Sequence, residues 1–318
     1  MFAASVMACA ALAAGCIGGP GIRGTFDRTL TVSGPVELQV ATGSGDVRIA
    51  PGTAGEVRIH GEIRARGWTD ADARQKLQQI ESNPPISQDN NLIRVGGSSG
   101  GMGQVSIDYT ITVPANTELH SRQGSGNVDA TGIQGPANFV AGSGNINASS
   151  IGGDVQAVAG SGNVTIAGVQ GQTQVTAGSG EIVIRDAKGP VRAHGGSGNI
   201  EISQPSDAVI AETGSGDIRV EGATADLRVR TGSGNVSISG NPGALNYWDL
   251  HASSGDVSLR IPSNASFHLY AHSGSGDIRA QVPIVMEGSA GKHELRAHIG
   301  DGKARVEIET SSGNITLR

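Results

Sequence analysis

The stretch GSGNVDATGIQGPANFVA, residues 124–141, is followed directly by GSGNINASSIGGDVQAVA at 142–159 and by GSGNVTIAGVQGQTQVTA at 160–177. The pattern Gly-Ser-Gly-[Asn/Asp/Glu]-[Val/Ile] begins at Gly124, Gly142, Gly160, Gly178, Gly196, Gly214 and Gly232, so one start follows another at a constant 18-residue step. Related starts follow at Ser253 and Gly274, each after a slightly longer, 21-residue step. An early copy stands at Gly43 and a closing one at Ser311. Self-similarity at a fixed period marks a repeat architecture, in which each unit buries its apolar face only against its neighbours.

Within each unit the residues alternate. After the Gly-Ser-Gly corner comes an aliphatic residue (Val128, Ile146, Val164, Ile182), then a mostly polar one, then a second small or branched apolar one (Ala130, Ala148, Ile166, Ile184). A second alternating run, such as Val155-Gln156-Ala157-Val158-Ala159, leads into the next corner. Period two signals a half-buried strand. Between the two runs sits an apolar plug at Ile133, Ile151 and Val169. A left-handed hexapeptide helix has coils of the same length, but it needs an aliphatic residue every sixth place, where Gln134 and Gln170 stand here. The expectation is therefore an all-β fold: a single-stranded parallel β-solenoid with 18-residue coils and two strands per coil. Inward Ala and Thr (Ala141, Ala159, Ala177, Thr213, Thr231) predict a flattened coil with a narrow interior.

The rhythm is broken before residue 116. Residues 24–115 read as an irregular β region, with Val36-Leu38-Val40, residues 56–66 and residues 105–113 alternating as strands. Residues 69–82, opened by Thr69 and closed before Pro84-Pro85, read as one short capping helix that covers an end or edge of the solenoid. GGSSGGMG at 96–103 reads as a flexible loop. Residues 116–318 form the regular solenoid, with 284–303 an insertion before a last strand at 305–310.

Residues 1–16, MFAASVMACAALAAGC, are apolar and too short for a comfortable membrane span, so they read as a signal peptide. They end in a lipobox-like Leu12-Ala13-Ala14-Gly15-Cys16, which makes Cys16 the expected lipid attachment point and the membrane a partner through that anchor. Cutting before Cys16 leaves no cysteine pair and hence no disulfide framework. The net charge of −6 and the scattered basic residues exclude a nucleic-acid footprint.

The GSGNV, GSGDI and SSGDV units, the VPANTELH entry at 113–120 and the closing IETSSGNITLR at 308–318 resemble the adhesin-like, domain-of-unknown-function β-solenoid family of bacterial envelope proteins. The resemblance covers most of residues 30–318. It implies an envelope location and an adhesin-like or structural role.

Little in the chain suggests chemistry. The Gly-Ser-Gly corner lacks the lysine and the helix of a P-loop, and no H-E-x-x-H pattern occurs. The corner glycines are expected to adopt positive φ, with Asn127, Asn145, Asn163, Asn199 and Asn235 stacking or holding turn backbone. No cofactor is expected, and no metal: His251 and His272 have no assured third ligand.

Aligning the coils leaves one feature that changes along the chain. The outward column before the corner runs Val140, Val158, Thr176, His194, Glu212, Arg230, His251, His272, Glu309. Its neighbour runs Asn138, Gln156, Gln174, Arg192, Ile210, Arg228, Asp249, Tyr270, Glu307. The first coils are bland and the last are charged. Arg192, His194, Glu212, Arg228, Arg230, Asp249, His251, Tyr270, His272, Glu307 and Glu309 thus form a candidate binding strip for an envelope glycan or a partner protein. The plain alternative is a solvated, salt-bridged face. For a polysaccharide-active β-helix enzyme, Glu212, Asp249 and Glu309 with Arg230 are the cluster to nominate. A modulator of envelope-stress signalling is a third class. The preferred expectation is a lipid-anchored, non-catalytic envelope protein.

Overall fold

In the computed structural model, residues 21–97, 105–287 and 291–318 are described. The expected signal peptide with Cys16, and most of the glycine-serine loop, lie outside them. The described chain is a parallel β-solenoid whose coils stack into two facing sheets, one of 14 strands and one of 15. The repeats pair coil on coil in register: Val128, Ile146, Val164, Ile182, Ile200 and Ile218 are successive neighbours in one sheet. Phe139, Ala157, Val175, Ala193 and Ala211 are successive neighbours in the other. Alternation sends these side chains inward, and nearly all are fully buried. The plugs Ile133, Ile151 and Val169 close the far side of each coil at 0% exposure.

Corner glycines at positive φ occur in the irregular coils, at Gly45 (φ 150°) and Gly255 (φ 157°), but not in the regular ones. Gly126, Gly144, Gly162, Gly180 and Gly198 are absent from the left-handed region, which holds Gly132 and Gly168 at the opposite turn instead. What excludes a side chain at the corner is the coil below. A Cβ on Gly144 would overlap the carbonyl of Gly126, one on Gly162 that of Gly144, and one on Gly180 that of Gly162. Glycine is there for close approach of backbones.

The residue after each corner ties the stack together. Asn127 Oδ1 accepts from the Asn145 N–H at 3.0 Å, Asn145 Oδ1 from Asn163 at 2.9 Å, and Asn163 Oδ1 from Glu181 at 2.9 Å. The ladder resumes from Asn199 through Asp217, Asn235 and Asp256 to Asn314. Each side chain satisfies a turn N–H that the strand ladders leave free.

Both ends are interleaved. The strand Val36–Thr42 lies between Leu92–Gly96 and Thr117–Gln123, and Val47–Pro51 lies between Val105–Val113 and Val128–Thr131. At the other end Ala304–Ser312 inserts between Tyr247–Ser254 and Phe267–Ser273. The chain then turns the SSGN corner once more into Ile315–Leu317, so the run at 305–310 is not the last strand. The sheet edges are Ile22–Thr31 and Ile86–Asp89 at one end and Ile278–Ala280 and Val285–Met286 at the other; all but the parallel Ile278–Ala280 run antiparallel to their neighbours. Three of these four edge strands have four residues or fewer, which limits pairing with other chains.

Helix α1 (Asp70–Ser82) starts where Thr69 Oγ1 accepts from the Asp72 N–H at 3.2 Å. Its buried Ala73, Leu77 and Ile80 pack on the strands Ile22–Thr31 and Glu56–Ala65. Gly24 makes room for it, since a Cβ there would meet Leu77 and Glu81.

Candidate functional site

The outward columns of the 15-stranded sheet carry the chain's variable chemistry, because period two leaves every second residue of these strands facing away from the core. Strand pairing places His194 beside Glu212, Glu212 beside Arg230, Arg230 beside His251, and His251 beside Glu309. His272 comes after Glu309. The column order read along the sequence is therefore corrected at its end: the inserted strand Ala304–Ser312 separates His251 from His272. The adjacent column runs Arg192, Ile210, Arg228, Asp249, Glu307, Tyr270 for the same reason.

Most of these groups are paired with each other. Asp249 Oδ2 accepts from Arg230 Nη2 at 3.0 Å and lies 3.4 Å from Arg228 Nε. His194 Nδ1 stands 4.0 Å from Glu212 Oε2, and His251 Nδ1 stands 3.8 Å from Glu309 Oε2. The Tyr247 hydroxyl donates to Glu307 Oε2. Burial, then that hydrogen bond and the negative charges beside it, push the Tyr247 phenol up to about 12. Asp249 holds the Arg230 guanidinium above its usual value through the hydrogen bond and its charge. The Arg296 guanidinium sits 5.3 Å over the Tyr270 ring. Tyr247 and Arg296 complete the network although neither was a candidate in the sequence. Tyr247 lies one alternation step outside the aligned columns, and Arg296 sits on an antiparallel strand that no repeat copy announces.

Glu212, Asp249 and Glu309 do not converge. Arg230 and His251 stand between Glu212 and Glu309 in one outward column, and Asp249 lies in the other. Among the described residues, no group of three His, Cys, Asp or Glu side chains is set to hold a metal ion.

The first coils of the same sheet hold a feature passed over as bland. Two columns at the repeat spacing, Glu118-Pro136-Asp154-Gln172 and His120-Asn138-Gln156-Gln174, wall a shallow groove of about 290 Å³. A larger cavity of about 700 Å³ lies between the end of α1 and the first corner, with Ile80, Pro85, Ile107 and Tyr109 among its walls. Burial raises the Tyr109 phenol above its ordinary range. Among the described residues, no helix is long and apolar enough to cross a membrane.

The profile of the family described as Toastrack DUF4097 matches residues 35–318. The chain belongs to the Toastrack DUF4097 family. The match takes in both interleaved ends and every regular coil. No functionally curated protein matches this Toastrack chain. Among solved structures, it is similar to a candidate adhesin from Bacteroides fragilis at 12% identity, covering 93% of this chain and 97% of that one, with a TM-score of 0.37. It is similar to a candidate cell adhesion protein from Clostridium sporogenes at 12% identity, covering 92% and 99%, with a TM-score of 0.24. A candidate lipid binding protein from Parabacteroides distasonis is 13% identical over 92% and 96%, with a TM-score of 0.29.

Proposed function

We propose that this Toastrack protein is a non-catalytic, adhesin-like binding scaffold of the bacterial envelope, held at a membrane by lipid on Cys16. The observation that carries the non-catalytic part is the geometry of the nominated acids. Glycoside chemistry needs two carboxyl groups flanking one bond, one of them free to protonate the leaving oxygen. Here Asp249 is engaged by two arginines, and Glu212 and Glu309 are each placed against a histidine on an open sheet face. A long rigid stack with its polar groups repeated along the outside suits recognition over an extended surface. The leader ending at Cys16 supports the envelope location.

Fractionation of cells carrying Cys16→Ser tests the anchor: the protein should leave the membrane fraction, and unchanged partitioning would overturn the lipid attachment. A pull-down of envelope material with the intact protein tests binding. Comparison with a chain carrying Arg228, Arg230, His251 and His272 all changed to Ser then asks whether the charged strip is the contact surface. Equal recovery by both would remove it.

A further inference from the structure

On the reading that this protein binds rather than catalyses, we propose that its contact surface is the amide groove of the first coils, and that the ligand is an uncharged, extended polysaccharide lying along the solenoid axis. Three observations lead there.

Part of the groove's polar surface is unspent: His120 Nε2 lies 3.0 Å from Glu118 Oε1 and Asp154 Oδ1 accepts from the Gln172 N–H at 2.8 Å, but the amides of the central column lack such partners. Asn138 Nδ2 meets Gln156 Oε1 only at 3.5 Å, the outer limit of a hydrogen bond. Among the described residues the Gln174 amide has no protein partner, whereas the charged groups further along the sheet hold one another. A surface that has satisfied itself must break ion pairs to bind. One built of free amides needs only to release water.

The groove repeats. Asn138 pairs with Gln156 and Gln156 with Gln174 across successive parallel strands, so donors and acceptors recur every ~4.8 Å along the axis. A pyranose unit in an extended chain advances by nearly that distance and presents hydroxyls at each step. An extended polypeptide advances ~3.3 Å per residue and presents alternate side chains at twice that, so it falls out of step within a few coils.

The groove is flanked by apolar surface. Val140 and Val158, neighbours in the next outward column, are each 37% exposed. Thr176 follows in the same column. A sugar ring has a C–H face as well as a hydroxyl edge, and a valine column beside an amide column matches both. The walls contain Glu118 and Asp154 and no arginine or lysine, which disfavours an anionic polymer along the stretch between Arg122, beside Val140, and Arg192, after Gln174.

The test uses the full chain, with cellohexaose and chitohexaose as neutral probes, dextran sulfate as the anionic one and an unstructured Gly-Ser peptide as the polypeptide. Calorimetry or affinity electrophoresis should show binding to at least one neutral hexaose. The triple variant Asn138→Ala, Gln156→Ala, Gln174→Ala should weaken it at least tenfold. Gln156→Arg alone, which fills the groove with one long side chain, should weaken it similarly. Far-ultraviolet circular dichroism and the melting transition report whether each variant is folded. If a hexaose binds and both folded variants bind equally well, the groove assignment is overturned while the binding function stands. Preference for dextran sulfate or the peptide overturns the neutral-glycan assignment. If no hexaose binds but the intact chain still retains envelope material, the groove proposal fails alone. Failure of both experiments overturns the binding reading itself.

Discussion

His251 and Glu309 face each other across adjacent parallel strands, with Nδ1 3.8 Å from Oε2, although the chain makes another coil and a hairpin between them. The pair records how the stack is closed: the strand Ala304–Ser312 is drawn into it and the preceding coil is pushed outward. The earliest strand of that sheet, Val36–Thr42, is held in the same way between later ones. Both of these strands thus gain two neighbours, while the sheet edges go to Ile22–Thr31, Ile86–Asp89, Ile278–Ala280 and Val285–Met286.

Removal of residues 304–318 should therefore do more than trim an end. It takes out the strands that join Tyr247–Ser254 to Phe267–Ser273 and Val257–Arg260 to Ile278–Ala280. Limited trypsin digestion of the truncated chain is expected to release everything after Arg260 while the earlier coils stay protected. Continued protection of residues 267–299 would show that this coil docks without the inserted strand.

At the corner, Gly162→Ala places a Cβ against the carbonyl of Gly144, which is backbone and has no rotamer into which to retreat. Overpacking of this kind costs about 1–3 kcal/mol. Ser161→Ala, one residue earlier at an exposed position, should change stability by about 0.5 kcal/mol or less. Urea unfolding at unchanged slope measures both, and equal midpoints would remove the backbone-contact explanation for the corner glycine.

The amide ladder makes a finer prediction. Asn163→Ala removes the acceptor for the Glu181 N–H, at a cost of roughly 0.5–1.5 kcal/mol. Asn163→Asp should restore most of it, because Asp217 and Asp256 serve the same purpose in their own coils, accepting from Asn235 and Asn314 at 2.7 Å. An aspartate variant as weak as the alanine one would contradict a role for the side-chain oxygen.

Tyr247 predicts an alkaline effect. Its phenol loses a proton near pH 10 in the unfolded chain and only at about 12 in the fold. The folded state therefore holds that proton more tightly, and the associated stability is complete below about pH 10 and is lost as the pH rises toward 12. Denaturant midpoints measured across that range should fall less steeply for Tyr247→Phe than for the parent. Identical slopes would mean that the hydroxyl is free in solution.

The architecture was legible because a stack of equal coils writes its period into the chain: the Val128–Ile218 series, the Ile133 plugs and the Asn127 ladder each follow from a local pattern repeated at one interval. Even there, the reason for glycine lay outside the repeat unit. Whether a corner residue turns the chain or lets the next coil close in depends on a carbonyl one full coil away. The charged strip was legible by composition and misordered by sequence, since neighbours in a sheet are set by strand pairing and the last long strand inserts. The amide groove was hidden for a different reason. Asn138, Gln156 and Gln174 fall in one column at the repeat interval, but only the folded stack shows which of their amides lack partners and that a groove opens between them and Asp154 and Gln172. The sequence alone determined that this protein is a coil of paired strands, because alternation and period are local properties. Which coils sit side by side, which charges neutralise one another and where polar groups remain free were decided by the tertiary structure, because those depend on distances between residues that no interval along the chain encodes.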